Sequence, residues 1–243
     1  MMRAGFLTAP VLLLLLSAGA PCATEILFPE FREAELANGM RLLVAEDHRT
    51  PIVALHVVLP CGRQYDPRGK RGLAWSTAEC CLAGISGMDG TEVWLELQRL
   101  GGILSSYTSH DQTFFSMKSL PSNWTSVLDI LASSIRTPTF PEKEIGRRKA
   151  QWISSVRERL ENPAALAHLH MYDLLYEGPL GEPATIEGFR SIGRKDLVRF
   201  HREHYRPDEA ILIAVGDFDA ETAIEALRAA FDGWPSGPEP PSA

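Results

Sequence analysis

Cysteine is scarce in this chain. Cys22, Cys61, Cys80 and Cys81 are the four in 243 residues, too few for a disulfide scaffold, although an oxidising compartment permits one bridge. Cys80 and Cys81 are adjacent, and about 100° separates neighbours on a helix, so they make a poor chelating pair and read as small buried hydrophobes. An excess of basic charge is also missing. Against 24 Lys and Arg stand 31 Asp and Glu, a formal net charge of −7, which favours solubility and gives no electrostatic reason to bind nucleic acid. Beyond the first residues no apolar stretch approaches the ~18 that cross a bilayer. No internal repeat is visible. What remains, 45% hydrophobic and 23% charged, is the composition of an ordinary globular protein of one or two domains.

Residues 1–20 read as a signal peptide, with Arg3, the apolar run from Phe6 to Leu16, and the small residues Ala18-Gly19-Ala20 before the cut. A lipoprotein signal ending at Cys22 is the alternative, but Pro21 stands where that signal uses a small residue. The mature chain is expected to be exported, periplasmic in a Gram-negative bacterium, with no membrane association after cleavage. Residues 236–243 are proline-rich and read as a linker or tail, which leaves one domain over 28–235.

Alternating or β-rich runs predict strands at 42–46, 52–59, 103–108, 113–120 and 210–215. Helical periodicity predicts helices at 73–83, 92–100, 124–134 after the cap candidate Ser122, 142–160, 164–176, 194–205 and 220–231. Strands, helices, strands and then a helical block returning to one strand give an α+β fold, with a mixed, largely antiparallel sheet packed against helices.

Several segments then match a known pattern in order. They are 36–46 followed by 51–61, Gly72-Leu73-Ala74, the strand-turn-strand run Gly101-Gly102-Ile103-Leu104-Ser105-Ser106-Tyr107-Thr108-Ser109-His110-Asp111-Gln112-Thr113, Asn162-Pro163, and Tyr205-Arg206-Pro207 leading to Val215-Gly216-Asp217-Phe218. Together they resemble the N-terminal half of the insulinase/pitrilysin family of metallopeptidases. The resemblance implies a first hairpin, a helix opening at Gly-Leu-Ala, and one half of a clamshell that closes around an extended peptide. It also implies that Ser105, Ser106, Tyr107 and Thr108 lie on the strand that adds to the substrate's edge.

Active members carry His-x-x-Glu-His on the helix after Gly-Leu-Ala. Two His four apart share a helix face and bind one zinc, and the Glu between them is the general base on the bound water. Here the five positions read Trp75-Ser76-Thr77-Ala78-Glu79. Trp75 cannot ligate zinc, Ala78 cannot take a proton, and Glu79 alone keeps an oxygen donor. The family's third ligand, a Glu on the long helix before Asn-Pro, aligns with Ser155, beside Ser154. No zinc or other cofactor is therefore expected, and the site is degenerate at Trp75, Ala78, Glu79 and Ser155. Gly-Leu-Ala-x-x-Thr-Ala-Glu is similar to the non-catalytic subunits of this family.

Other constellations are weaker. His201 and His204, three apart, could share a metal, but no general-base Glu has the zincin spacing, and the segment matches a solvated helix of the family. His168 and His170 point apart, and His48 and His56 are isolated. Ser105, Ser106, Ser109, His110 and Asp111 lie close in sequence without the parts of a triad. Asn123-Trp124-Thr125 fits a glycosylation sequon. The implied role is a non-catalytic half or subunit that holds an extended peptide for a zinc-bearing homologue or for the second half of the same gene. The alternatives are a zinc peptidase with a site rebuilt around Glu79, and a stand-alone peptide-binding module.

Overall fold

The structure, a computed structural model, describes residues 29–176 and 181–236. The expected signal peptide, Cys22 and all but the first residue of the proline-rich tail lie outside the described residues. In chain order the strands are β1 (Phe31–Glu35), β2 (Arg41–Glu46), β3 (Val53–Leu59), a short pair β4 (Gly84–Ile85) and β5 (Met88–Asp89), β6 (Ile103–Thr108), β7 (Thr113–Ser119) and β8 (Ile211–Gly216). The helices are α1 (Leu73–Cys81), α2 (Gly90–Leu100), α3 (Trp124–Arg136), α4 (Glu142–Glu161), α5 (Pro163–Leu175), α6 (Ile186–Ser191), α7 (Arg194–His204) and α8 (Ala220–Phe231).

The six-stranded sheet runs β1-β2-β8-β3-β7-β6. Only β2 and β8 pair in parallel, Leu42 facing Leu212, and the other neighbours are antiparallel. This is the mixed, largely antiparallel sheet that the sequence implies. One expectation is corrected. Segments 36–46 and 51–61 do not form a hairpin with each other, because β8 lies between β2 and β3; the first hairpin is β1 with β2. The chain clears β8 by crossing from β2 to β3 through residues 47–52, longer than a two-residue turn. There Asp47 N donates to Gly216 O and Asp217 N to Ile52 O. Gly216 has φ 154°, and a Cβ on it would lie 2.3 Å from Ile52 O, so that close passage requires glycine.

Alternation along the strands sorts side chains by face. Leu42, Val44, Leu55, Val57, Phe115, Met117, Leu212 and Ala214 are buried, while His56 and Ser116, paired in register, bond each other on the exposed side at 2.8 Å. Helices cover the apolar face. Their ends follow local chemistry. Asp89 caps α2 in a reciprocal box with Glu92, which starts that helix two residues before its apolar period does. Asn162 Oδ1 accepts from Ala164 N and Ala165 N, with Pro163 as the first helical residue, so Asn-Pro ends α4 and restarts the chain as α5. Asn123, not Ser122, precedes α3, and its amide donates to Leu100 O. Among the described residues no helix is long and apolar enough to cross a membrane.

Candidate functional site

The start of α1 is anchored from below. Asp66 is buried and accepts from Gly72 N and Ala74 N, both at 2.7 Å. Burial pushes its carboxyl up to about 6, against the pull of those two amides and of Arg71 and Arg63. Gly72 has φ 103°, and a Cβ there would lie 2.5 Å from the Phe189 ring. The Gly of Gly-Leu-Ala is thus required twice, for backbone conformation and for the approach of α6.

Seven of the nine residues of α1 are buried. The two that are not, Trp75 and Glu79, are four apart and share a face. The Trp75 ring packs 5.6 Å from Trp152 of α4 and 5.7 Å from Phe189 of α6. Glu79 faces β6 and α4. Its Oε1 accepts from Ser106 Oγ at 3.2 Å, and its Oε2 accepts from Arg148 Nη1 at 2.8 Å. Side-chain exposures of 28% for Glu79 and 20% for Arg148 place this pair in partial shelter, where charge-assisted bonds are stronger than at an open surface. Ala78 is completely buried in the core. Ser155 is exposed and donates to Gln151 O of its own helix at 3.1 Å. The structure therefore brings Glu79, Ser106 and Arg148 together, with Trp75 beside them, while Ala78 is in the core and the Ser155 hydroxyl bonds within its own helix.

These residues do not fit a zinc ion. An indole, a methyl and a hydroxyl bonded within its own helix supply no zinc ligand, and both Glu79 oxygens are engaged. Among the described residues no group of three or more His, Cys, Asp or Glu could hold a metal. Arg148 was not singled out by the sequence reading. The signal was available, since it lies seven residues before Ser155 and hence on the same side of α4.

Among the described residues β6 forms an open edge of the sheet, paired with β7 alone. Ser106 and Thr108 face the helices, while Ser105 and Tyr107 face away, Tyr107 being 65% exposed. Beside this edge, between α1, α2 and α4, is a cavity of about 660 Å³ lined by Glu79, Trp94, Leu97, Leu104, Ser106 and Arg148, among others. A second, of about 380 Å³, lies around Trp75, Thr108, Tyr172 and Phe189. Sequence reasoning located neither, because each is assembled from distant segments.

His201 and His204 correct the expectation of a solvated face. His201 Nε2 lies 2.7 Å from Ile135 O, and His204 is buried against Tyr65 and Phe200. Burial lowers the pKa of both. Ser109 and Asp111 close a turn on themselves, Oγ to Oδ1 at 2.8 Å, and that bond holds the Asp111 carboxyl below its usual range. Cys61, Cys80 and Cys81 are buried free thiols.

Comparison with known proteins agrees with this geometry. The insulinase (peptidase family M16) profile matches residues 41–185, and the peptidase M16 inactive-domain profile matches 191–243. An uncharacterized zinc protease of Rickettsia bellii is 23% identical over 85% of this chain and 51% of its own length. Among solved structures, a peptidase M16 inactive domain from Pseudomonas fluorescens superposes with a TM-score of 0.80 at 22% identity, over 88% of this chain and 53% of that one. The first half of the periplasmic protease PqqL from Escherichia coli superposes with a TM-score of 0.77 at 18% identity, over 88% of this chain and 48% of that one. The chain spans about half the length of the curated relatives it matches. With the family profile matched over most of the sequence and the half-domain fold in place, this chain belongs to the insulinase family, peptidase family M16.

Proposed function

We propose that this chain is an exported, peptide-holding half of an insulinase-family assembly and does not itself hydrolyse peptide bonds. One observation carries the reading. Glu79, the last oxygen donor of the motif, is ion-paired to Arg148 at 2.8 Å, so a guanidinium supplies the positive charge beside it. Ala78 offers no base, and the Ser155 hydroxyl, bonded to Gln151 O of its own helix, is a poor zinc ligand. The open β6 edge supports peptide binding by strand addition, with Ser105, Ser106, Tyr107 and Thr108 offering backbone groups to an extended segment. The partner is a zinc-bearing homologous subunit or the second half of the same gene, in keeping with relatives about twice as long. Export rests on residues 1–20 and on the likeness to a periplasmic protease.

The test joins metal, binding and turnover. After dialysis against zinc the chain should retain far less than the one equivalent of a catalytic site. It should bind an unstructured fluorescent peptide without cutting it. Proline placed singly at Ser105 and Ser106 should abolish binding at whichever position directs its N–H to the open edge, since successive residues of a strand point their amides to opposite sides. One zinc per chain together with peptide cleavage, both lost on Glu79→Ala, would refute the inactive reading. Co-expression with a zinc-bearing homologue, followed by affinity capture and rate measurement, tests the partner; a chain that neither binds it nor changes its rate removes that part.

A further inference from the structure

The larger cavity has a charge pattern that the open edge does not explain. Three cations, Lys143, Arg147 and Arg148, line it against two carboxylates, Glu79 and Glu144. Arg147 bonds Glu144 and Arg148 bonds Glu79, which leaves an excess of one positive charge. Between the charges the wall is apolar, from Val93, Leu97 and Leu104, with Trp94 58% exposed.

We infer that this cavity selects the peptide, accepting a large apolar side chain accompanied by a carboxylate. The inference rests on the peptide-holding reading above and adds a substrate class to it. On β6 the side chains of Leu104 and Ser106 point to the helix side, and both line the cavity. A strand added beside β6 lies about 4.8 Å away with side chains alternating in step, so every second one falls on the cavity side. The apolar wall takes that side chain. The surplus cation, from the exposed pair Lys143 and Arg147, takes the carboxylate, whose source is either the next acidic side chain or the C-terminus of an already cut peptide.

The probes are short unstructured fluorescent peptides with a central Phe-Glu or Phe-Gln, each with a free or an amidated C-terminus. Their binding to the full chain is measured by anisotropy at low and high salt. A carboxylate form should bind about tenfold more tightly than its neutral counterpart at low salt, the size of a charge-assisted hydrogen bond, and less so at high salt. Whether the Glu or the free terminus carries the gain identifies the source. In the variant carrying Lys143→Gln and Arg147→Gln, both at exposed positions, the preference should vanish while neutral peptides bind as before. Equal binding of acidic and neutral peptides, or a preference that survives in that variant, overturns the inference and leaves the peptide-holding reading intact. Failure of every peptide to bind overturns both.

Discussion

Rewriting α1 as an active motif, with Trp75→His, Ala78→Glu and Glu79→His, should destabilise the chain without giving it a metal site. Trp75 packs against two rings at 5.6 and 5.7 Å, and exchanging the indole for an imidazole forfeits about 1–2 kcal/mol of contact. Ala78 has no exposed surface, so a carboxylate there costs about 3 kcal/mol or more in desolvation. Glu79→His leaves the Arg148 guanidinium in partial shelter without its counter-ion, a further loss of about 1 kcal/mol. The total, about 5–6 kcal/mol, is comparable to the whole stability of an ordinary domain, and corresponds to a fall in Tm of roughly 10–25 °C at this size. Thermal unfolding followed by circular dichroism, with a zinc titration on the same samples, measures both parts. Ala78→Glu alone should account for the largest share. A triple variant that melts within a few degrees of the parent and takes up one zinc would refute the account of both Ala78 and Ser155.

Three further outcomes follow from local features. Asp66 has a folded-state pKa of about 6 against 3.8 for the free group, so its stabilising contribution is full below 3.8 and is lost as the pH rises through 6. The parent should gain about 2 kcal/mol from it between pH 7 and 4, and Asp66→Asn should not. Denaturation midpoints of the two chains isolate the effect, since His201 and His204, whose lowered pKa values act oppositely, are common to both. Gly72→Ala meets both a φ of 103° and the Phe189 ring at 2.5 Å, and should lower stability by about 2–4 kcal/mol by urea titration. Burial pushes the thiols of Cys61 and Cys80 up to about 12 and that of Cys81 well above its usual range. A water-soluble thiol reagent should therefore leave all three untouched in the folded chain and label them on unfolding.

Much of this molecule can be read from its residues, and the exceptions have physical causes. The long amphipathic helices and the apolar strands β3, β7 and β8 announce themselves by period. β1 does not, because Phe-Arg-Glu-Ala-Glu at an open edge needs no buried face. β4, β5 and α6 are too short for periodicity to register. That β8 enters between β2 and β3 has no local signature at all, being a matter of which distant edges meet. At the site, Trp75, Ala78, Glu79 and Ser155 could be singled out one by one from the resemblance. Their arrangement could not, because the burial of Ala78 and the meeting of Glu79 with Arg148 depend on how α1 and α4 lie against each other. The charge at Glu79 is answered by Arg148, 69 residues away. His204 misleads for a related reason: Arg-Glu-His on the last turn of a polar helix looks solvated, yet Tyr65 and Phe200 close over it.

The position of β8 also governs how this chain can come into being. β2 is synthesised early and forms a hairpin with β1, but its other edge and the adjacent edge of β3 stay unpaired until residues 211–216 arrive. Helices α1 to α7 must all be made while the centre of the sheet is still missing. Closing so long a loop is slow, and open strand edges invite pairing with other chains in the meantime. A polypeptide built this way is ill suited to folding piece by piece as it emerges, and well suited to being kept extended until its last strand is available. Premature stops before residue 211 should accordingly yield aggregates rather than smaller folded fragments.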